Sequence, residues 1–194
     1  MVRPREFDRD EALDRAMRVF WAKGYAATST EDLLGAMGIG RQSLYNAFGD
    51  KRTLYLEALE HYQQESTSAH LARLNAPASA LEGLAALLIG LIEEDDAERA
   101  LGCMGVGATC EFGATDPELV KLRSKAGPLL TRRVAERVAE GQARGEIDPT
   151  LNAEEAAGFI LMSMEGLQLS ARAGGEAEAL RTLARFAIGR IKAH

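Results

Sequence analysis

Arg41, Gln42, Tyr45 and Asn46 stand close together in a stretch, RQSLYNAF (41–48), whose spacing fits a short helix. Residues four apart align on a helix, so Arg41 and Tyr45 share one edge and Gln42 and Asn46 the neighbouring one. All four offer hydrogen-bond donors and reach far enough to meet phosphates or base edges in a major groove. The chemistry would be recognition of a polyanion, with no bond made or broken. An ordinary solvated face on a small helical hairpin is the competing reading.

Other residue types offer less. Cys103 and Cys110 are seven apart; on one helix they would lie about 10 Å apart along the axis, too far for a disulfide. Structural, buried cysteines are the plain reading and a redox-sensing thiol the alternative, with Arg99, four residues before Cys103, the nearby basic residue. His61, His70 and His194 make no metal-ligand spacing with the cysteines. No phosphate-binding glycine loop, nucleophile elbow or convincing carboxylate pair is present. The sequence points to no catalytic residue, metal or resident cofactor.

The donor-rich stretch needs elements to hold it. Thr28, Ser29 and Thr30 precede Glu31, so a hydroxyl can cap a helix whose positive end meets an acid. Leu33, Leu34 and Met37 give that helix an apolar face, and Gly38 lies just past it, where a left-handed backbone is needed. Ile39, Leu44 and Phe48 point inward from the turn and the second helix. The pair is a helix-turn-helix. An earlier helix, capped by Asp8 or Asp10 and ended by Gly24, offers Ala12, Leu13, Ala16, Met17, Val19 and Phe20 as a covering stripe. Met1 to Phe7, with Arg3 and Arg5 around Pro4, reads as an arm that either enters a minor groove or simply frays.

Beyond Asp50 the pattern stays helical. A helix from Lys51 towards Leu74 leaves the first part and enters the second. Leu81–Ile92 is a buried helix, and the acidic run 93–96 is a solvated connection. A stretch from Ala97 to Phe112 is apolar nearly all round and glycine-rich. Asp116-Pro117 opens a helix to about Arg144, one helix follows Asn152, and a last one runs from Glu176 to about Ile191. No β-pattern or repeat is found. The expectation is an all-α chain of about nine helices, with a DNA-binding domain over 1–52 and a second helical domain over 53–194.

The net charge of −6 divides unevenly. Residues 1–52 hold nine Lys/Arg against eight Asp/Glu, or +1; the remainder holds fourteen against twenty-one, or −7. The acid is therefore concentrated away from the helix-turn-helix, where it keeps a protein soluble. Two cysteines with no secretion signal suit a reducing compartment, and no apolar run is long enough for a bilayer. Cytoplasmic residence, with no membrane partner, is expected.

From Arg5 to about Leu59 the chain resembles the DNA-binding domain of the TetR family of bacterial transcriptional regulators. The resemblance rests on AMRVFWAKGYAATSTEDL and GIGRQSLYNAFGDKRTLYLEAL. Within them it rests on the Phe20–Gly24–Tyr25–Thr28 spacing, the Gly38–Ile39 turn, and Leu44–Tyr45–Phe48 followed by Lys51. It implies that the Thr30 hydroxyl holds a phosphate and that Arg41, Gln42 and Ser43 meet bases. It further implies that Tyr45 touches backbone and base, and that Lys51 anchors a phosphate. Glu31 and Ala47 depart from well-known members, which have a basic reader and a histidine there, so no operator sequence transfers from a relative.

The resemblance also implies a small-molecule effector enclosed by helices four to eight, with Tyr62, Met104, Cys110, Phe112, Met162 and Glu165 as candidates. Ordinary core is the competing reading for each. It implies a homodimer joined through the last two long helices, with Phe159, Met162, Leu169, Leu183, Phe186 and Ile191 as candidates. Such a dimer presents two recognition helices to double-stranded DNA at a near-palindromic operator. The function expected is a ligand-released repressor. A redox-responsive regulator using Cys103 or Cys110 is one alternative; an enzyme or ligand carrier with a vestigial helix-turn-helix is another.

Overall fold

The computed structural model describes residues 7–193, so the expected arm at Arg3 and Arg5 lies outside the described residues. Within them the chain is helical throughout. Three short helices come first, α1 (Arg9–Lys23), α2 (Thr30–Met37) and α3 (Arg41–Phe48), followed by the long α4 (Lys51–Asn75). Then come α5 (Ala80–Ile89), α6 (Asp96–Leu101), α7 (Met104–Phe112), α8 (Pro117–Ala143), α9 (Ala153–Arg172) and α10 (Ala177–Gly189). A single antiparallel bridge, Ile147 to Lys192, ties the end of the chain to the loop after α8.

The all-α expectation holds, with one internal difference. The stretch 97–112 is two helices, because the chain turns at Gly102 with φ of 60°. A Cβ there would lie 2.8 Å from the Gln168 carbonyl oxygen and 3.0 Å from Arg172 Cβ, so only glycine permits this approach to α9. The helix starts follow from local chemistry. Side chains of Asp8, Ser29, Asp50, Ser79, Asp95, Asp116 and Asn152 each accept from backbone N–H groups that the helix itself leaves unpaired.

Two hydrophobic cores form, and α4 contributes to both. The first gathers Leu13, Ala16 and Phe20 of α1, Leu33 and Met37 of α2, Leu44 and Phe48 of α3 and Leu54, Tyr55 and Leu59 of α4. It also takes Met104 and Ala108 from α7 and Leu119 and Leu122 from α8. The second collects Leu74 at the far end of α4, the apolar face of α5, Val134 and Val138 of α8, and most of α9 and α10. At about 1.5 Å per residue α4 is roughly 38 Å long, enough to reach from one core to the other.

An aromatic cluster joins the first core to α7. Tyr55 lies 5.0 Å from both Phe20 and Tyr25, and Phe112 lies 5.6 Å from Tyr25 and 5.9 Å from Tyr55, between ring centroids. These separations suit tilted and edge-on aromatic contact. The helix-turn-helix is thus seated on the body through α7 as well as through α4.

Candidate nucleic-acid interface

Every element around α3 serves to hold it with one face outward. In α2 the Ser29 hydroxyl accepts from the Asp32 N–H at 3.0 Å, while Asp32 accepts from the Ser29 N–H at 2.9 Å, a reciprocal capping box. Hydrogen bonding from Lys23, then from Ser29, holds the Asp32 carboxyl well below the usual carboxylate range. Thr28, a possible cap by sequence, is instead buried and donates to the Gly24 carbonyl at 2.6 Å. Gly38, at φ 67°, closes α2 and reverses the chain into α3.

Leu44 and Phe48 are buried, so the opposite face of α3 must face solvent. Arg41, Gln42 and Asn46 are exposed there, Tyr45 is 46 % exposed, and Ser43 is half-buried. The Gln42 amide donates to the Asn46 side-chain oxygen at 3.0 Å, and Arg41 pairs with Glu31 of α2. Gly40 precedes α3 and supplies no side-chain cap, so the first N–H groups of α3 keep no side-chain acceptor. An uncapped helix start carries partial positive charge and suits an anion.

Thr30 and Lys51 occupy the first turns of the flanking helices. Thr30 opens α2, half-buried; Lys51 opens α4 behind the Asp50 cap, its ammonium 4.3 Å from the centre of the Tyr25 ring. One supporting residue was not foreseen from sequence. Arg9 donates to the Ala47 carbonyl at 3.3–3.4 Å, pairs with Glu57 at 2.6 Å and stacks 4.4 Å from the Phe48 ring. It pins the end of α3 to α1 and α4. Its partners lie 38 and 48 positions away, so no local spacing announces it.

The body holds a cavity of about 670 Å³ between α4, α7, α8 and α9. Tyr62, Cys110, Met162 and Glu165 line it, as do Cys103, Arg123 and Gln168. Met104 and Phe112, proposed from sequence, do not. They share a stripe with Ala108, at four-residue spacing, that turns into the first core; Val106, Thr109 and Cys110 take the cavity side. Met104 lines a smaller cavity of about 340 Å³ instead. In an apolar-all-round helix the pattern did not say which stripe went where.

Burial shapes the titratable groups on the cavity wall. It pushes the Tyr62 hydroxyl far above its ordinary range. It also lowers His70 to about 4, helped by the Arg73 cation, so the imidazole is neutral near pH 7. Arg73 donates to His70 Nδ1 at 3.4 Å, which leaves the Nε2 proton to donate to Ser66 Oγ at 2.9 Å. Cys103 is half-buried and Cys110 exposed, neither in a disulfide, so the buried reading of Cys110 is corrected. Among the described residues no group of three His, Cys, Asp or Glu side chains could hold a metal ion, and no helix is long and apolar enough to cross a membrane.

On the outer face of α9 and α10, Met162, Leu169, Leu183 and Phe186 are between 50 % and 67 % exposed. Phe159 is half-buried against the second core. Ile191, also proposed from sequence as an interface residue, is 2 % exposed. The reason is that α10 stops at Gly189; Ile191 then turns inward, where its carbonyl accepts from the Asp148 N–H at 3.0 Å.

Comparison with known proteins agrees with this geometry. Residues 12–58 match the family model described as bacterial regulatory proteins, tetR family, and residues 77–187 match the tetracyclin repressor-like C-terminal domain. The chain is 30 % identical over 184 residues to the HTH-type transcriptional repressor ComR of Escherichia coli, covering 94 % of this chain and 88 % of that one. It is 35 % identical over 149 residues to the HTH-type transcriptional regulator YezE of Bacillus subtilis, covering 76 % and 77 %. Among solved structures, a cysteine-substituted CifR bound to a 26-base-pair double-stranded operator superposes with a TM-score of 0.79 at 34 % identity, over 96 % of this chain and 98 % of that one. These relatives are regulators rather than enzymes. The chain belongs to the TetR family of bacterial transcriptional regulators.

Proposed function

We propose that this protein is a cytoplasmic repressor that binds a near-palindromic operator as a homodimer and leaves it when a small molecule fills the α4–α7–α8–α9 cavity. The observation that carries the reading is the outward face of α3: four donor-bearing side chains beside an uncapped helix start, on a helix whose other face is locked into the core. ComR is named a repressor and CifR is seen on operator DNA; this chain's similarity to both along nearly its whole length supports the same role here. The exposed apolar face of α9 and α10 supports pairing through these helices. A two-fold pair presents two copies of α3 at a fixed spacing, which sets half-site separation.

Contacts across the seam give the cavity a route to α3. The residues from the first helix to about Arg52 act as the reading head and the rest as the body, with α7 touching both. Its outer edge carries Glu111, whose carboxylate accepts from the N–H groups of Tyr25 and Ala26 at 2.9 and 2.6 Å, at the turn into α2. At its start, the Trp21 indole donates to the Gly102 carbonyl at 3.1 Å. Arg172 of α9 donates to the carbonyls of Trp21 and Leu101 at 3.0 and 2.7 Å, and Arg52 pairs with Asp116 at 2.5 Å. A ligand that displaces α7 must disturb these bonds, so effector and operator favour different placements of the head and each weakens the other's binding.

The test is fluorescence anisotropy with DNA flanking the protein's own gene, run over a salt series. Tight binding with two subunits per site is expected. Arg41→Ala should cost about 1–3 kcal/mol and relax preference at one base pair, whereas Lys51→Met should weaken all sequences alike and reduce the salt slope by about 1. If neither flanking DNA nor selection from random sequence yields a bound site, the repressor reading is wrong.

A further inference from the structure

The outward side of the helix-turn-helix is built from side chains that hold one another. The Gln42 amide is bonded to Asn46 within α3, and Arg41 of α3 is paired with Glu31 of α2. Among the described residues this is the one ion pair that joins the two helices. Asp32, the next residue along, is engaged elsewhere, capping α2 and pairing with Lys23. Glu31 has no side-chain partner but Arg41 among the described residues.

The pair does little for the fold. Both side chains are more than half exposed, and an ion pair in that setting contributes little to stability. Leu44, Phe48 and the Arg9 clamp are what seat α3. Nor does the pair add to attraction for a polyanion, since the Glu31 charge cancels that of Arg41. A carboxylate beside a DNA-facing arginine is unfavourable unless it improves what the arginine does there.

An arginine has two uses on DNA, and they differ in what they ask of orientation. A phosphate takes the positive charge from many directions and carries no sequence information. Guanine is read by a planar fork whose two N–H groups meet O6 and N7 together, so the angle of approach decides the contact. Glu31 accepts from Nη2 of Arg41. The guanidinium has five N–H donors, so a two-donor edge stays free while the tether limits its swing. Thr30, Lys51 and the uncapped start of α3 remain for phosphates.

We propose that Glu31 is a positioning residue for sequence recognition: it orients Arg41 as the reader of a guanine and withholds it from phosphate. The inference rests on the reading of α3 as the recognition helix. Glu31 acts through Arg41, so its removal tightens binding to DNA in general while blunting the choice of operator.

The test uses the full chain as wild type, Glu31→Ala, Glu31→Gln, Arg41→Ala and the Glu31→Ala/Arg41→Ala double variant. An operator is selected from random DNA with the wild type, and each base pair is then substituted in turn. The base pair at which Arg41→Ala loses its preference identifies the guanine. Glu31→Ala should lose about tenfold of the discrimination at that base pair. It should also bind non-specific DNA more tightly, with a salt slope steeper by about 1 as the freed Arg41 takes a phosphate. Glu31→Gln keeps an acceptor for Nη2 and should hold the preference within about threefold. In the Arg41→Ala background, Glu31→Ala should change that preference no further. Wild-type discrimination in Glu31→Ala, a further loss in the double variant, or a loss spread evenly over all base pairs would each overturn the proposal. Those results leave the recognition reading standing, because the wild type and Arg41→Ala test it separately. A wild type that selects no site overturns that reading, and this inference with it.

Discussion

The reading head and the body differ in how far apart in sequence their working parts lie. In the head, the cap of α2, the glycine that ends it and the donor face of α3 all fall between Ser29 and Phe48. In the body, one cavity wall needs α4, α7, α8 and α9 together, drawing on residues from Tyr62 to Leu169. The head is therefore specified by short-range chemistry and presents polar groups to a polyanion. The body is specified by packing, and presents an apolar face and a cavity open to solvent. Substitutions in the head should change what the protein binds; those in the body should change whether it assembles and when it lets go.

The sharpest way to break that contrast is to abolish DNA binding without touching the head. Leu183 and Phe186 are more than half exposed on α10, and large apolar side chains left so mark a surface that another chain covers. A second copy fits, because a two-fold axis matches one patch to itself. Leu183→Glu/Phe186→Glu should yield a folded monomer by sedimentation and weaken operator binding by a hundredfold or more, the order of avidity lost with one of two sites. A variant that stays dimeric with full affinity would place the interface elsewhere.

Acid should separate the two regions next. His70 belongs to the body; its pKa falls from 6.5 to about 4 on folding because burial and Arg73 disfavour its charged form. The unfolded chain then takes up a proton between those values that the folded chain refuses. Stability is full above pH 6.5 and declines as the pH drops towards 4, by up to about 1.4 kcal/mol per pH unit. His70→Gln keeps a partner for Ser66 and should flatten that decline. The comparison of urea midpoints for the two proteins at pH 7, 6 and 5 cancels the carboxylates they share. Equal slopes would mean that His70 is protonated in the fold and that this part of the body is wetter than its burial implies.

The same contrast explains what the sequence disclosed. Ser29, Gly38, Leu44 and Phe48 could be assigned from neighbours a few positions away, and the structure puts each where that spacing required. The Arg9 clamp on Ala47 and Glu57 could not, since folding alone brings those partners near. Met104 and Phe112 are cavity candidates by family resemblance, with ordinary core as the competing reading; core is where they lie, and the packing of Tyr25 and Tyr55 on Phe112 decides the stripe. Gln168 gave no signal at all: a glutamine in an apolar helix looks like a surface residue until the elements around it close.

The seam is where the comparison can be tested most finely, and there the expected effect is smallest. Glu111 belongs to the body but bonds only to the head in this region, through the Tyr25 and Ala26 N–H groups. Water can replace part of what Glu111→Ala removes, so the cost should be about 1 kcal/mol, or a melting shift of roughly 2–4 °C. Hydrogen exchange at Tyr25 and Ala26 should quicken about fivefold, since 1.4 kcal/mol corresponds to tenfold. Amides within α3 should keep their rates, because Leu44 and Phe48 hold that helix independently. If the α3 amides quicken as well, the turn and the recognition helix open as one unit. The head would then end at Glu111 rather than at Arg52, and α7 would be the element through which an effector acts on DNA directly.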